Sequence, residues 1–314
     1  MSKLSTRSAY GEALAALGGD PRIVVLDADL QCCTRTEKFA ALYPGRSRNV
    51  GIAEANMVGM AAGLAACGKT VFVNSFAMFT AGRAFEQIRN SLAYPRLNVK
   101  VIGTHAGVTV GKDGATHQCI EDIALMRSIP GMAVLSPCDA NETRLATRAI
   151  AALDGPCYMR LGRLDVEECT NFIPGYTFEF GKASPLARGD DVTIIATGLM
   201  VQEAMTARAL LEQEGIRAAV LDIHTIKPLD EKAVLEAARA TGCLVTAEEA
   251  NVLGGLGGAV AEAVSGNCPV PVLRVGIQDQ FGHSGDPYAL MERYRITAGD
   301  VAAAARRAIA MKRR

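Results

Sequence analysis

Asn49-Val50-Gly51-Ile52-Ala53-Glu54-Ala55-Asn56-Met57 opens a run of small residues, Val58 to Ala66, that leads to Thr70-Val71-Phe72-Val73-Asn74. The run is rich in Gly and Ala, which let neighbouring backbones approach closely, and it reads as a helix. The apolar stretch behind it reads as a buried strand. Glu54 stands in the first turn of that helix, where the helix dipole tolerates a carboxylate. Walled off from water as well, it could hold or share a proton at neutral pH. On this stretch alone the plainer reading, a first-turn Glu that stabilises a helix, stays open.

The same alternation extends in both directions. A helix over 8–17 closed by Gly18-Gly19 precedes the apolar strand Ile23-Val24-Val25-Leu26. Downstream come a helix over 80–92, a strand over 99–102, a helix over 120–127 and a strand over 132–135. A helix over 140–153 and a strand over 157–160 end the series. Charges, Pro174, Pro185 and several glycines interrupt the rhythm over 162–191. It then restarts with strands over 192–196, 218–222, 243–246 and 272–275, alternating with helices over 201–214, 231–241 and 258–265. A last helix spans 298–311. Short apolar strands alternating with helices predict α/β architecture: two consecutive three-layer domains with mainly parallel sheets. The expected division is 1–165, a linker over 166–190, and 191–314.

The chain has 314 residues, and its 33 basic and 33 acidic side chains cancel, which argues against nucleic acid or a membrane surface as partner. No run of 18 apolar residues occurs, and the start, Met1 to Arg7, is polar, so neither a membrane span nor a signal segment is expected. Nine scattered cysteines, with one adjacent pair (Cys32-Cys33) and no Cys-x-x-Cys, fit a reducing, cytoplasmic setting. The basic end Lys312-Arg313-Arg314 reads as a solvated tail.

In α/β sheets ligands gather at the carboxyl ends of strands. Read there, the first half offers Asp27, Asp29 and the two cysteines after one strand, and Phe76 and Phe79 after the next. His105 and the loop Gly111-Lys112-Asp113-Gly114-Ala115-Thr116-His117-Gln118 follow the third, and Arg160 with Arg163 nearby follows the last. Two of the four histidines fall within thirteen residues on glycine-rich loops, with Asp113 between them; this favours a functional cluster. A metal site of His105, His117 and Asp113 is the rival reading, at a spacing that matches no standard ligand pattern. Phe76 and Phe79 are open to a core reading, and Cys33 has no visible activating partner for a nucleophile. Gly254-Gly255-Leu256-Gly257-Gly258 lacks the ending of a phosphate loop and reads better as close helix–strand packing. His224 and His283 have no partner visible in the sequence.

Together these stretches resemble the transketolase family of thiamine diphosphate enzymes. The resemblance covers nearly the whole chain but only the C-terminal half of a full-length transketolase: its pyrimidine-binding and C-terminal domains. Gly51-Ile52-Ala53-Glu54-Ala55-Asn56-Met57 is similar to the segment whose Glu contacts the cofactor's aminopyrimidine N1′. His105 and the Gly111–Gln118 loop resemble the family's substrate loop, and Phe76 and Phe79 fall where aromatics line the pyrimidine pocket. The resemblance implies that His105 and His117 hydrogen-bond and shuttle protons at sugar oxygens. It further implies that Asp113 selects the C2 hydroxyl and that Arg7, Cys33 and Arg160 lie at the sugar phosphate. The reaction implied passes a two-carbon glycolaldehyde unit from a ketose to an aldose.

No Gly-Asp-Gly with a following Asn occurs, so Mg²⁺ and the diphosphate are expected on a separate N-terminal subunit, in an assembly of the α2β2 kind. Cys33 stands where relatives carry a hydroxyl, and Ala55 and Ala106 also depart from the pattern. An unusual ketose, for instance a sulfonated one, is therefore an alternative substrate. Three other readings are the β subunit of a 2-oxo acid dehydrogenase, deoxyxylulose-phosphate synthase, and a non-catalytic regulatory subunit.

Overall fold

The structure is a computed structural model that describes residues 3–173 and 175–312. Met1 and Ser2 of the polar start, Pro174 of the expected linker, and Arg313 and Arg314 of the basic tail lie outside the described residues.

In chain order the strands of the first half are β1 Lys3–Ser5, β2 Ile23–Asp27, β3 Ser47–Asn49, β4 Thr70–Phe76, β5 Val99–Thr104, β6 Ala133–Leu135 and β7 Cys157–Arg160. Those that follow are β8 Asp165–Glu167, β9 Ser184–Ala187, β10 Val192–Ala196, β11 Ala218–Asp222, β12 Thr225–Lys227, β13 Leu244–Asn251 and β14 Val272–Ile277. Twelve of them form a seven-stranded sheet in the order β12-β6-β7-β5-β4-β2-β3 and a five-stranded sheet in the order β14-β13-β10-β11-β9, while β1 and β8 pair with each other alone. Neighbouring strands run parallel except at one edge of each sheet, where β12 and β9 are antiparallel. The architecture is α/β with mainly parallel sheets, as the alternating pattern predicts.

All seven residues of β4 are buried, which is why it reads as a continuous apolar run rather than an alternating one. Helices cover both faces. On one face a core cluster runs unbroken from Met57, Val73 and Ile88 to Ile226, Leu256 and Val260 of the second half. On the other, Tyr10, Phe39, Phe72 and Ile150 pack together.

Two features depart from the sequence reading. The stretch over 166–190 carries structure of its own: Lys3–Ser5 pairs antiparallel with Asp165–Glu167, and β9 caps the second sheet. Strand β12, which follows the second half's β11, crosses over and closes the edge of the first sheet against β6. Three residues are too few to show a strand period in the sequence, and pairing there covers the edge at β6.

The glycine-rich stretch at 254–258 is a packing device. Glu248 accepts the amides of Leu256 (2.7 Å) and Gly257 (2.8 Å), so the protein's own carboxylate fills that helix N-terminus. A Cβ on Gly257 would meet Arg274 Cδ at 2.7 Å. Burial pushes the Glu248 carboxyl up to about 7.

Candidate active site

Glu54 begins the helix Glu54–Ala66 after a turn at Gly51, whose φ of 74° suits glycine. Asn49 Oδ1 fixes that turn by accepting the amides of Gly51 and Asp29, each at 3.0 Å. The Glu54 side chain is buried, and Arg83 donates from Nη1 to both of its oxygens at 3.0 Å. Arg83 ends the π-helical turn Met78–Arg83 and lies over the Phe79 ring at 4.5 Å. Phe79 and Arg83, four positions apart, lie on the same side of this turn, and π turns are frequent at functional sites. Nothing in the one-dimensional pattern signals it, and Arg83 was not among the residues the sequence singles out.

From this carboxylate an aromatic wall runs to the histidines. Phe79 and Phe76 stack with centroids 5.7 Å apart and planes 18° apart. Phe76 stacks on His105 at 3.9 Å, and His117 meets the edge of Phe79 at 5.3 Å. The two phenylalanines and two histidines picked out by sequence therefore form one surface. A buried carboxylate beside a flat apolar shelf suits an aromatic heterocycle with a ring nitrogen that hydrogen-bonds, so these residues fit an aminopyrimidine.

His105 is held in the left-handed region at φ 55°, a strained conformation for a non-glycine residue. Arg7 Nη1 lies 3.2 Å from its Nε2, and Thr104 Oγ1 lies 3.0 Å from its Nδ1. A guanidinium only donates, so Nε2 is the acceptor and Nδ1 carries the hydrogen, given to Thr104. Burial, followed by the charge of Arg7, pulls the imidazole down to about 3, which keeps it neutral.

His117 and Asp113 sit on the half-exposed loop, and Gln118 anchors it. The Gln118 amide donates to the carbonyls of Val108 (3.1 Å), Gly111 (3.1 Å) and, across the domain boundary, His283 (2.8 Å). The glycines of the loop allow this contact: a Cβ on Gly114 would meet Ser284 Oγ at 2.4 Å. His283, unassigned in the sequence, thus helps hold the substrate-like loop through its backbone. His105, His117 and Asp113 do not converge as a metal-ligand group among the described residues.

The basic residues require a correction. Arg160 is buried and committed to the interior: its Nε donates to Asp122 (2.9 Å) and its Nη2 to the carbonyl of Glu249 (2.7 Å). Burial works against its charge, but Asp122 and then Glu249 raise it. It pins the domain boundary and has no place in the anion cleft. Three residues on, beyond the end of β7, Arg163 reaches that cleft instead, donating to the carbonyl of Val110 at 2.8 Å with Asp113 at 3.4 Å. Arg7, Arg35, Lys112 and Arg163 line an open cleft of about 520 Å³. Cys33 comes to this region through its backbone: Arg7 donates to its carbonyl at 2.9 Å.

Comparison with known proteins gives the family. Residues 2–168 match the transketolase pyrimidine-binding domain, and residues 181–301 match the transketolase C-terminal domain. The chain belongs to the transketolase family. It is 48 % identical over 298 residues to a putative transketolase C-terminal section from Methanocaldococcus jannaschii, covering 94 % of this chain and 93 % of that one. It is also 48 % identical over 286 residues to a 6-deoxy-6-sulfo-D-fructose transketolase subunit from a Clostridium species, covering 91 % and 88 %. A solved split-gene transketolase, an inactive β4 tetramer, superposes with a TM-score of 0.90 at 50 % identity over 99 % of this chain and all of that one. Against human transketolase the identity is 38 %, across 97 % of this chain and 49 % of the human enzyme. This transketolase chain therefore corresponds to the C-terminal section of a split enzyme.

Proposed function

We propose that this chain is the pyrimidine-binding half of a two-subunit transketolase that moves a two-carbon ketol unit between sugars bearing a distal anion. The observation that carries the reading is the unbroken wall from Glu54 through Phe79 and Phe76 to His105 and His117, ending at Arg7. One end suits a cofactor ring and the other a polar, anionic substrate.

Thiamine diphosphate, when bound, supplies the nucleophilic carbon. Glu54 would hold its ring nitrogen by a hydrogen bond, displacing or sharing the contact with Arg83, while Phe76 and Phe79 exclude water from the ring. The diphosphate and Mg²⁺ would be held by an N-terminal subunit, since the sequence offers no motif for them. His105, held neutral, would orient a sugar hydroxyl by accepting its hydrogen bond at Nε2 in exchange for the contact with Arg7. His117, less buried, is placed to exchange protons with solvent as the carbonyl oxygen of the ketose gains and loses charge. Asp113 accepts a hydrogen bond from the hydroxyl beside the reacting carbon. Arg7 and Arg163 hold the distal anion with forked donors.

The identity shared with a subunit named for a sulfonated ketose supports a sulfonate as one candidate tail, alongside a phosphate. A 2-oxo acid would leave the Asp113–His117 loop without a sugar to read. The decisive experiment is two-carbon transfer by the chain alone, and then with a diphosphate-binding subunit, Mg²⁺ and thiamine diphosphate. Transfer only in the mixture, lost in Glu54→Ala, is the expected result. Turnover of 2-oxo acids and of no ketose would overturn the reading.

A further inference from the structure

The turn after β2 presents a guanidinium that none of the steps above uses. Asp27, at the end of β2, is buried and accepts from Thr34 Oγ1 (2.6 Å), Thr36 Oγ1 (3.0 Å) and the Leu30 amide (2.7 Å). Two threonines grip one carboxylate from either side of Arg35, which is held in the left-handed region at φ 66°. An arginine there is strained, and strain of this kind persists where the surroundings over-determine it.

The turn sits hard against the helix Thr6–Ala16 at Gly11. A Cβ on Gly11 would stand 2.5 Å from Arg35 Cβ and 2.5 Å from its carbonyl oxygen, so only glycine admits the contact. Arg7 lies one helical turn before Gly11 on the same face. Arg7 and Arg35 are thereby brought to one cleft, with Arg163 on its other side.

These charges are only partly matched: Asp113 meets Arg163 Nη1 at 3.4 Å, in an exposed contact that contributes little. The cleft is lined by four cations (Arg7, Arg35, Lys112 and Arg163) against one carboxylate, Asp165. The Nε atoms of Arg7 and Arg35 are buried without a partner among the described residues. Glu37 is 3.8 Å from Arg35 and well exposed, a contact that contributes little. Burial, then Arg35 and Arg163, lower the basicity of Arg7. The helix Thr6–Ala16 adds its positive end, with no acidic residue in the first turn. Converging like charges in a half-buried cleft repel one another, and a bound anion relieves that repulsion.

We propose that Arg35 is a specificity-determining residue: with Arg7 and Arg163 it completes a three-guanidinium cradle for a tetrahedral oxyanion, a phosphate monoester or a sulfonate. The substrate carrying that anion rests on the ketol-transfer reading; the anion site itself does not.

The test uses Arg35→Gly, which removes the cation and relieves the left-handed strain, so the fold is retained. Arg35→Lys keeps a charge without the fork. Methyl phosphate and methanesulfonate are titrated into the full chain at low ionic strength, followed by the guanidinium NMR signals. Saturable binding to the wild type is expected, weakened about tenfold or more in Arg35→Gly and partly restored in Arg35→Lys. The anion that loses more identifies the tail. Equal affinity in wild type and Arg35→Gly, or no binding of either anion to the wild type, overturns the proposal. With the partner subunit, the ratio of kcat/KM for an anion-tailed ketose over that for L-erythrulose is expected to fall by a similar factor in Arg35→Gly. An assembly that turns over no ketose would remove the transfer reading, while the titration still decides the role of Arg35.

Discussion

Arg83 Nη1 lies 3.0 Å from both oxygens of Glu54, and the two partners differ sharply in exposure, 52 % for the Arg83 side chain and 3 % for Glu54. Removing the cation strands a buried carboxylate, whereas removing the carboxylate leaves a cation that water can reach. Stability and activity should therefore respond in opposite order. Arg83→Leu is expected to cost about 3 kcal/mol of unfolding free energy and Glu54→Gln about 1 kcal/mol or less. In the transfer assay Glu54→Gln should lose about 10²- to 10⁴-fold in kcat, and Arg83→Leu less. Urea unfolding beside steady-state rates checks this; the same order in both assays would sink the pairing of roles.

His105 makes stability depend on pH. Its folded-state value, pulled down to about 3, lies below the ordinary histidine value of about 6.5, so the unfolded chain binds the extra proton between those limits. This contribution is fully present above about pH 6.5 and is lost as pH falls from there towards 3. Unfolding free energies measured between pH 7.5 and 4.5 should drop more steeply for the wild type than for His105→Gln, by up to about one proton's worth of slope. Parallel curves for the two proteins would show that the fold does not hold His105 neutral.

Arg160 and Arg163, three residues apart, should behave as different kinds of residue. Arg160→Met strands Asp122, which is fully buried, and should cost about 3–5 kcal/mol of stability. Arg163→Met, at a side chain 41 % exposed, should change stability by less than about 1 kcal/mol yet raise KM for an anion-tailed ketose about tenfold or more. Thermal unfolding with steady-state kinetics separates them, and a stable Arg160→Met with a raised KM would return Arg160 to the substrate.

Much of this protein was legible in one dimension because its elements are local. Runs such as Val71-Phe72-Val73 and Val192-Thr193-Ile194-Ile195 are buried on both faces, so burial is written directly into consecutive residues. Phe76, Phe79, His105 and His117 follow strand ends, and a parallel sheet gathers strand ends together, so their meeting could be anticipated from order alone.

Sequence therefore determined the α/β pattern, the transketolase resemblance, and the carboxylate, aromatic and histidine members of the candidate site. Tertiary structure alone decided the rest, because an arginine's long side chain reaches an interior ion pair or an open cleft with equal ease, and adjacent residues do not say which. Arg160 went inward to Asp122 and Arg163 outward to the cleft. Arg83 met Glu54 across 29 positions, a glycine admitted Arg35 beside the helix that carries Arg7, and Gln118 found the carbonyl of His283, 165 positions away. Such contacts join residues remote along the chain, and only tertiary packing brings them together.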